Sequence, residues 1–93
     1  MEESKIILEQ IHEKRGQIFR IQQEIEGLEI RKLEIETGLR IGDTIMDSTG
    51  TTGIITGIES GYWWRWRRIK KDGTPFANES IAYGRLTKIS DAQ

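Results

Sequence analysis

The segment Tyr62–Lys71 (YWWRWRRIKK) contains the residues best suited to bind a ligand. It holds four of the chain's seven aromatic residues and five basic residues, and it has no acidic residue. An indole ring stacks on a nucleic-acid base with about 1–3 kcal/mol, and a guanidinium group can hold two phosphate oxygens at once. The composition of this segment therefore indicates a binding site for a nucleotide or a nucleic-acid strand.

This segment is predicted to be a β-strand, in which alternate side chains share a face. The face that we expect to turn partly toward the core or a subunit interface consists of Trp63, Arg65, Arg67 and Ile69. The face that we expect to stack on bases and bind phosphate consists of Tyr62, Trp64, Trp66, Arg68 and Lys70. The alternative is that the tryptophans form the core of a small sheet while the arginines are exposed to solvent.

Five residues outside this strand are further candidates. The amide of Asn78 both donates and accepts, so it could bind an adenine edge or a ribose hydroxyl, or it could be an ordinary turn residue. Arg85 could add a second cationic edge or be a surface arginine, and Phe19 could cap a ligand or fill a contact between helix and sheet. His12 and Arg15 could form a second anion site between subunits, or they could simply be solvated.

Residue patterns that support catalysis are not found. No nucleophile elbow, Walker loop, metal-ligand spacing or serine–histidine–acid arrangement occurs, and the run Gly50–Gly53 is too short to be a phosphate-binding loop. His12 is the only histidine, and the chain has no cysteine. We therefore predict a binding protein that is not an enzyme and that uses neither a metal nor a cofactor.

A long N-terminal helix is predicted to precede the binding strand. Ten positions follow the alternating three- and four-residue steps of a coiled-coil seam: 7, 11, 14, 18, 21, 25, 28, 32, 35 and 39. Eight of them are Ile or Leu. The two exceptions are Lys14 and Lys32, whose long side chains can carry the charge out of the seam. We expect residues 1–39 to form an amphipathic oligomerisation helix that joins a homo-oligomer, either a dimer or a higher assembly.

After Gly38, which we expect to cap the helix, the pattern changes from helical to alternating. The predicted strands lie within 39–47, 52–59 and 62–71, with a bulge or bend in the second, and residues 80–83 and 85–89 supply one or two further strands, which gives four or five in all. Residues 40–93 are therefore predicted to form an antiparallel β domain with 62–71 as the ligand-binding strand. The expected fold class is α+β, a helix followed by a small antiparallel sheet or an SH3-like open barrel.

Composition indicates a cytoplasmic protein that does not enter a membrane. The chain lacks cysteine, an apolar run of membrane-spanning length and the features of a signal peptide. Its net charge is −1, but the part before Leu39 has six basic and nine acidic residues, whereas the remainder has eight and six. The more basic β domain favours an anionic partner.

Two stretches carry a resemblance to a known family: GLRIGDTIMDSTGTTGIITGI, which follows the helix, and KKDGTPFAN, which follows the aromatic run. In this layout the chain resembles the phage anti-Thoeris sponges of the first described type. These oligomeric proteins sequester a cyclic ADP-ribose signal and thereby silence a bacterial immune pathway. The resemblance implies the same function, in the cytoplasm of a bacterial host.

The resemblance also implies where a ligand would bind. Helices would join the subunits of a symmetric assembly, and the ligand would be enclosed where the sheet meets the helix. The implied ligand contacts are Phe19, Trp64, Trp66, Asn78 and Arg85, of which only Asn78 lies in a matching motif. Some members are thought to bind cyclic oligonucleotides at a separate site, which would give His12 and Arg15 a role. After Thr74 and Pro75, the run Phe76–Ala77 departs from the small or polar residues that the family would have, so the identity of the ligand stays open.

Two other functions fit the same residues. Small SH3-like barrels often begin with a sequence segment like Ile41–Ile45 followed by a Gly-rich turn. Many such barrels bind RNA, DNA or the transcription machinery. The chain could equally be a phage inhibitor that uses its tryptophan strand to block a host protein. The salt dependence of the affinity distinguishes a protein that binds a nucleic-acid strand from one that encloses a dinucleotide.

Overall fold

The computed structural model describes residues 2–91, a long helix followed by five β-strands. Met1, Ala92 and Gln93, which the predicted domain limits include, lie outside the described residues. The elements are the helix α1 (Glu2–Thr37) and the strands β1 (Thr44–Met46), β2 (Thr52–Glu59), β3 (Trp63–Arg68), β4 (Ser80–Ala82) and β5 (Thr87–Ser90).

Helix α1 ends where the sequence predicts. Gly38 has a φ of 73°, a left-handed conformation that suits glycine, and its N–H donates to the carbonyl of Glu34 at 2.8 Å. The hydroxyl of Thr37 donates to the carbonyl of Leu33 at 2.7 Å and accepts from the N–H of Leu39 at 3.2 Å. These bonds satisfy polar groups at the helix end and turn the chain toward the sheet.

The five strands form one antiparallel sheet in the order β4-β3-β2-β1-β5. This arrangement confirms the predicted α+β fold. Strand β2 has the predicted limits, and the predicted bulge lies between Ile55 and Gly57. Strand β3 is shorter than predicted and ends at Arg68. Beyond it, the N–H of Ile69 donates to the carbonyl of Thr52 at 2.9 Å, and Ile69 makes an isolated bridge with Pro75.

A tight turn joins β2 to β3 and rests against the helix. Ser60 and Gly61 both have positive φ, at 54° and 73°, and the N–H of Tyr62 donates to the carbonyl of Glu59 at 3.2 Å. Positive φ at both central residues is the geometry of a type I′ hairpin. A side chain at position 61 would collide with the carboxylate of Glu29. The Glu29 carboxylate is the end of a flexible side chain and can move aside, so the left-handed φ is the stronger reason for glycine at position 61.

The core lies between the end of α1 and one face of the sheet, called the inner face here. Its buried apolar residues are Leu33, Leu39, Ile45, Ile55, Trp64, Trp66 and Ala82. Gly53 allows the indole of Trp66 to lie flat on the sheet, since a Cβ at position 53 would come within 2.6 Å of the Cε3 atom of Trp66. Burial of two large indoles supplies much of the apolar area of this small core.

The predicted assignment of the two faces of β3 is wrong. Trp64 and Trp66 are only 2% and 3% exposed and lie in the core, whereas Trp63 is 44% exposed on the opposite face. A ligand cannot stack on a buried indole without opening the core. The alternative, in which the tryptophans form the core of the sheet, therefore holds for Trp64 and Trp66 but not for Trp63.

Most of the helix extends beyond the sheet. All residues from Glu2 to Leu28 are exposed, including the apolar residues of the predicted seam. Within residues 2–91, no helix has both the length and the apolar character that a membrane span requires.

Candidate functional site

The face of the sheet that points away from the core carries the exposed aromatic and cationic groups. We call it the outer face, and its central residues are Glu59, Trp63, Arg65, Arg67, Ile81 and Tyr83. Arg65 pairs with Gly57 on β2 and with Ile81 on β4, while Arg67 pairs with Ile54. Alternation along β3 places these arginines opposite in direction to the two buried tryptophans.

Trp63 and Tyr83 form an aromatic pair at one end of the outer face. Their ring centroids are 5.3 Å apart with an interplanar angle of 67°, an edge-to-face contact. Tyr83 is 61% exposed and Trp63 is 44% exposed, so both rings present surface to solvent. An edge-to-face pair of this kind fixes the rings in place and leaves a ring face on which a base can stack.

Arg65 is held between two carboxylates. Its guanidinium group is bonded to the carboxylate of Glu59 and lies 3.9 Å from an oxygen of Glu79. The guanidinium and Glu59 are both only partly exposed, and two acidic neighbours compensate its charge. Arg65 is thus better placed to hold β2, β3 and β4 in register than to bind a free phosphate.

Arg67 differs from Arg65 because its side chain is not neutralised. Its Nε atom is buried, and no hydrogen bond or ion pair engages this side chain among residues 2–91. The buried Nε is closed to an external ligand, but the two terminal nitrogens of the guanidinium are not buried in this way and are engaged by no protein group among residues 2–91, so a phosphate could accept hydrogen bonds from them. Trp63 and Arg67 are four residues apart on one strand, which places their Cα atoms about 13 Å apart. That span suits a base at one end and a phosphate at the other.

A second cationic cluster lies at the end of β3. The guanidinium carbon of Arg68 is 5.3 Å from the ring centroid of Phe76, and Nζ of Lys70 is 5.4 Å from the same centroid. The N–H of Phe76 also donates to the carbonyl of Arg68 at 2.8 Å. Phe76 therefore holds these two cations side by side at the edge of the domain, where they could contact an extended anionic chain.

Hydrogen bonds within the Asp72–Pro75 turn keep this cluster in place. Oδ1 of Asp72 accepts from the N–H and the hydroxyl of Thr74, at 2.9 Å and 2.6 Å. The side-chain bond from Thr74, followed by its backbone N–H, lowers the pKa of Asp72 below the ordinary value. The carboxylate is thereby kept charged as a turn-stabilising acceptor.

The other predicted site residues do not converge. Phe19 is exposed on α1, Asn78 is exposed between the bridge at Pro75 and strand β4, and Arg85 is exposed between β4 and β5. His12 and Arg15 are exposed on the N-terminal half of the helix. Within residues 2–91, no hydrogen bond, ion pair or ring contact joins any of these five to another, and their roles stay predictions.

The place where the sheet meets the helix does not suit an anion in a single chain. A cleft of about 330 Å³ lies there, between the hairpin at Ser60–Gly61 and helix residues Gln22, Ile25, Glu26 and Glu29. Two carboxylates line it, and a phosphate would be repelled by them. An anionic ligand would bind here only if another subunit added positive charge.

Sequence reasoning missed Trp63, Tyr83 and Arg67 as site residues. The signal for them was present in β3, where Trp64 and Trp66 alternate with Arg65 and Arg67 in the pattern of a half-buried strand. That alternation alone places the indoles inward and the guanidinium groups outward.

Comparison with models of protein families, with curated proteins and with solved structures finds no match for this chain. Within residues 2–91, no group of three or more histidine, aspartate or glutamate side chains is placed to hold a metal ion. The site must therefore be interpreted from its own geometry.

Proposed function

We propose that this protein is an oligomeric sponge, which binds a cyclic nucleotide signal and sequesters it without degrading it. The observation that carries the proposal is the outer face of β3, where the exposed Trp63–Tyr83 pair and the unneutralised Arg67 lie on one surface. A cyclic ADP-ribose isomer is the leading ligand and a cyclic oligonucleotide the second, in keeping with the resemblance described above. The cytoplasm of a phage-infected bacterium is the expected location.

Sequestration requires affinity and slow release, and it requires no turnover. A base would stack on Trp63 beside Tyr83, and a phosphate of the same ligand would accept hydrogen bonds from Arg67. Arg65, fixed by Glu59 and Glu79, would keep the strand geometry constant. Because the outer face is open in one chain, a second subunit would have to cover the ligand. The exposed seam of α1 supports self-association. Because the outer face points away from α1, covering the ligand requires a further contact between the β domains of different assemblies.

Native mass spectrometry and calorimetry with cyclic ADP-ribose isomers and a cyclic oligonucleotide panel test this proposal. We expect one of these ligands to bind at fixed stoichiometry and to be recovered intact. Trp63→Ala should weaken binding at least tenfold because a stacked base is lost. Tyr62→Ala is the matched control, since Tyr62 is an exposed aromatic at the adjacent position and makes no ring contact among residues 2–91.

Arginine variants test which of the two faces of β3 binds the ligand. Arg67→Gln should reduce affinity at least tenfold, since a charge-assisted hydrogen bond is worth about 1.5–3 kcal/mol, whereas Arg68→Gln should have little effect. If Arg68→Gln or Asn78→Ala abolished binding while Trp63→Ala did not, the ligand would bind elsewhere. Failure of every ligand in the panel to bind would overturn the sponge proposal.

A second candidate function is binding of single-stranded nucleic acid. The open outer face and the cationic cluster of Arg68 and Lys70 around Phe76 favour it, because an extended strand could follow β3 without being enclosed. Such binding should weaken steeply as salt is raised, whereas an enclosed dinucleotide should be much less sensitive. A host-lysate capture that returned one stoichiometric protein and no nucleotide or nucleic acid would instead favour the inhibitor function.

A further inference from the structure

The apolar seam of helix α1 from Ile7 to Ile35 is not used by the fold of its own chain, whereas Leu39, the last predicted seam residue, lies beyond the helix and is buried in the core. Ile18 and Ile25 are 54% and 49% exposed, and Leu28 and Ile35 are each 70% exposed although they lie beside the β domain. The sheet covers a different side of the helix, where Leu33 is buried and Ile30 packs partly against the core. The two faces are about 120° apart around the helix axis. One side of α1 therefore serves the fold, and the other is free for a second chain.

A parallel, in-register pairing of two such helices is disfavoured by charge. Each seam residue would then meet its own copy, so Lys14 would face Lys14 and Lys32 would face Lys32 across the seam. At the positions that directly flank the seam, Glu24 of one chain would face Glu29 of the other, another like-charge pair. The one favourable flanking pair would join Arg31 to Glu36, but Glu36 already accepts from Lys32 of its own chain at 2.6 Å.

An antiparallel pairing removes every one of these conflicts. With the two-fold axis between Phe19 and Arg20, the seam residues of the two chains meet as Ile11 with Leu28, Ile18 with Ile21, Ile25 with Lys14, and Lys32 with Ile7. Each lysine then lies on an isoleucine, along which its aliphatic stem can pack while the ammonium reaches solvent. No like-charge pair occurs at the flanking positions.

We propose that a second copy of this chain occupies the seam of α1 in this antiparallel register. The pairing places the two β domains at opposite ends of a two-helix rod. It also brings Arg15 of each chain between Gln22 and Glu29 of the partner subunit, beside the cleft that the hairpin forms with the helix. The added guanidinium group offsets one of the two carboxylates there and brings a positive charge to a cleft that has none in one chain.

The proposal rests on the self-association included in the proposed function and does not depend on the ligand. Because the chain has no cysteine, single cysteines can be introduced and cross-linked by mild oxidation. A mixture of Ile11→Cys and Leu28→Cys chains should give a disulfide-linked dimer. Each variant alone should stay uncrosslinked, since identical positions lie about 25 Å apart along the antiparallel rod. A parallel dimer would reverse this result, because each variant alone would cross-link.

Light scattering on the unmodified chain supplies the independent measurement. A dimer or a multiple of it is expected, and the double variant Ile18→Asp/Ile21→Asp should shift it to monomer while the tryptophan fluorescence of the β domain is unchanged. Phe19→Asp is the matched control, as Phe19 is similarly exposed but lies off the seam. A monomeric unmodified chain, or cross-linking of Ile11→Cys alone, would overturn the proposal. An antiparallel dimer that takes up no ligand would support it while removing the sponge function.

Discussion

The indole Nε1 of Trp64 donates a hydrogen bond to the hydroxyl oxygen of Thr37 at 3.2 Å, which joins the middle of the sheet to the last residue of the helix. The same hydroxyl donates to the carbonyl of Leu33 and accepts from the N–H of Leu39. One side chain thus ends the helix, starts the turn and satisfies the only polar atom of a buried indole. Together with the packing of Leu33 and Ile30 against the core, this bond holds the end of α1 against the β domain.

Removing this bond should destabilise the protein measurably. Trp64→Phe and Thr37→Val should each lower the free energy of unfolding, by about 1–2 kcal/mol from the lost hydrogen bond in addition to any loss of packing. The double variant should cost less than the sum, because both single variants remove the same bond. Urea unfolding monitored by circular dichroism measures the cycle. Strict additivity would mean that the bond does not contribute to stability.

The close contact between Gly53 and Trp66 gives a sharper prediction about packing. In Gly53→Ala the new methyl group would lie 2.6 Å from the indole of Trp66 and 2.9 Å from the carbonyl oxygen of Arg67. Both neighbours are held by the sheet, so the variant should lose about 1–3 kcal/mol of stability. Gly57→Ala on the same strand is the control, since its Cβ would have no neighbour within 4 Å. Equal melting temperatures for the two variants would contradict the packing described here.

The predicted elements agree with the structure in kind and order, whereas the predicted faces of β3 do not. The glycine after Thr37 predicts the end of α1 correctly, whereas the heptad steps continue two residues further, to Leu39. Alternation with flanking turns predicts β2 to the residue. The predicted faces of β3 are reversed because the prediction includes Ile69 in the strand, on the same side as Trp63, and turns that side toward the core. In the structure β3 ends at Arg68, three residues before the predicted limit, and Ile69 makes an isolated bridge with Pro75.

Contacts between strands could not be predicted at all. The contact of Arg65 with Glu59 and Glu79 depends on the register of three strands and on the bulge in β2. A shift of one residue in that register would turn the carboxylates to the other face. Likewise, the contact of Trp63 with Tyr83 joins residues on β3 and just beyond β4, and neither position is marked by a local pattern.

Replacing the glycines inside α1 by alanine should make the helix more stable. Gly16 and Gly27 lie away from the seam, and a Cβ at either position would have no neighbour within 4 Å. Alanine should therefore raise helix stability by about 1 kcal/mol at each site, the usual difference between these residues in a helix interior. Thermal unfolding followed at the helix band of circular dichroism measures the effect. A loss of stability in Gly16→Ala or Gly27→Ala would show that another subunit approaches the helix there.

Acid sensitivity should arise partly from the turn between β1 and β2. The Thr49 hydroxyl donates to Oδ1 of Asp47 at 2.7 Å, and this bond, with further backbone N–H groups, lowers the pKa of Asp47 below the ordinary value. A carboxyl group whose pKa is lower in the folded chain stabilises the fold above its unfolded pKa. That contribution is lost as the pH falls through the folded pKa, here below about pH 4.

Thr49→Val removes the largest of these causes and should move the Asp47 titration midpoint upward, toward the ordinary value. Carboxyl-carbon NMR titration measures that midpoint directly, and Asp72 provides an internal reference because its Thr74 partner is unchanged. The stability of the variant should also vary less with pH below about pH 4. An unchanged Asp47 midpoint would mean that the backbone N–H groups alone hold the carboxylate.

Tryptophan fluorescence should distinguish the outer face from the core. Trp63 is the only indole with substantial exposure among residues 2–91, so acrylamide should quench one component strongly and leave the emission of Trp64 and Trp66 largely protected. Trp63→Phe should remove the quenchable component without lowering the melting temperature by more than a few degrees, because no core contact is lost. Trp66→Phe should keep that component while destabilising the fold, since it leaves a cavity above Gly53. If the ligand binds as proposed, it should protect the Trp63 component from acrylamide. Protection that persists in Trp63→Phe would instead place the ligand against one of the core indoles and require the core to open.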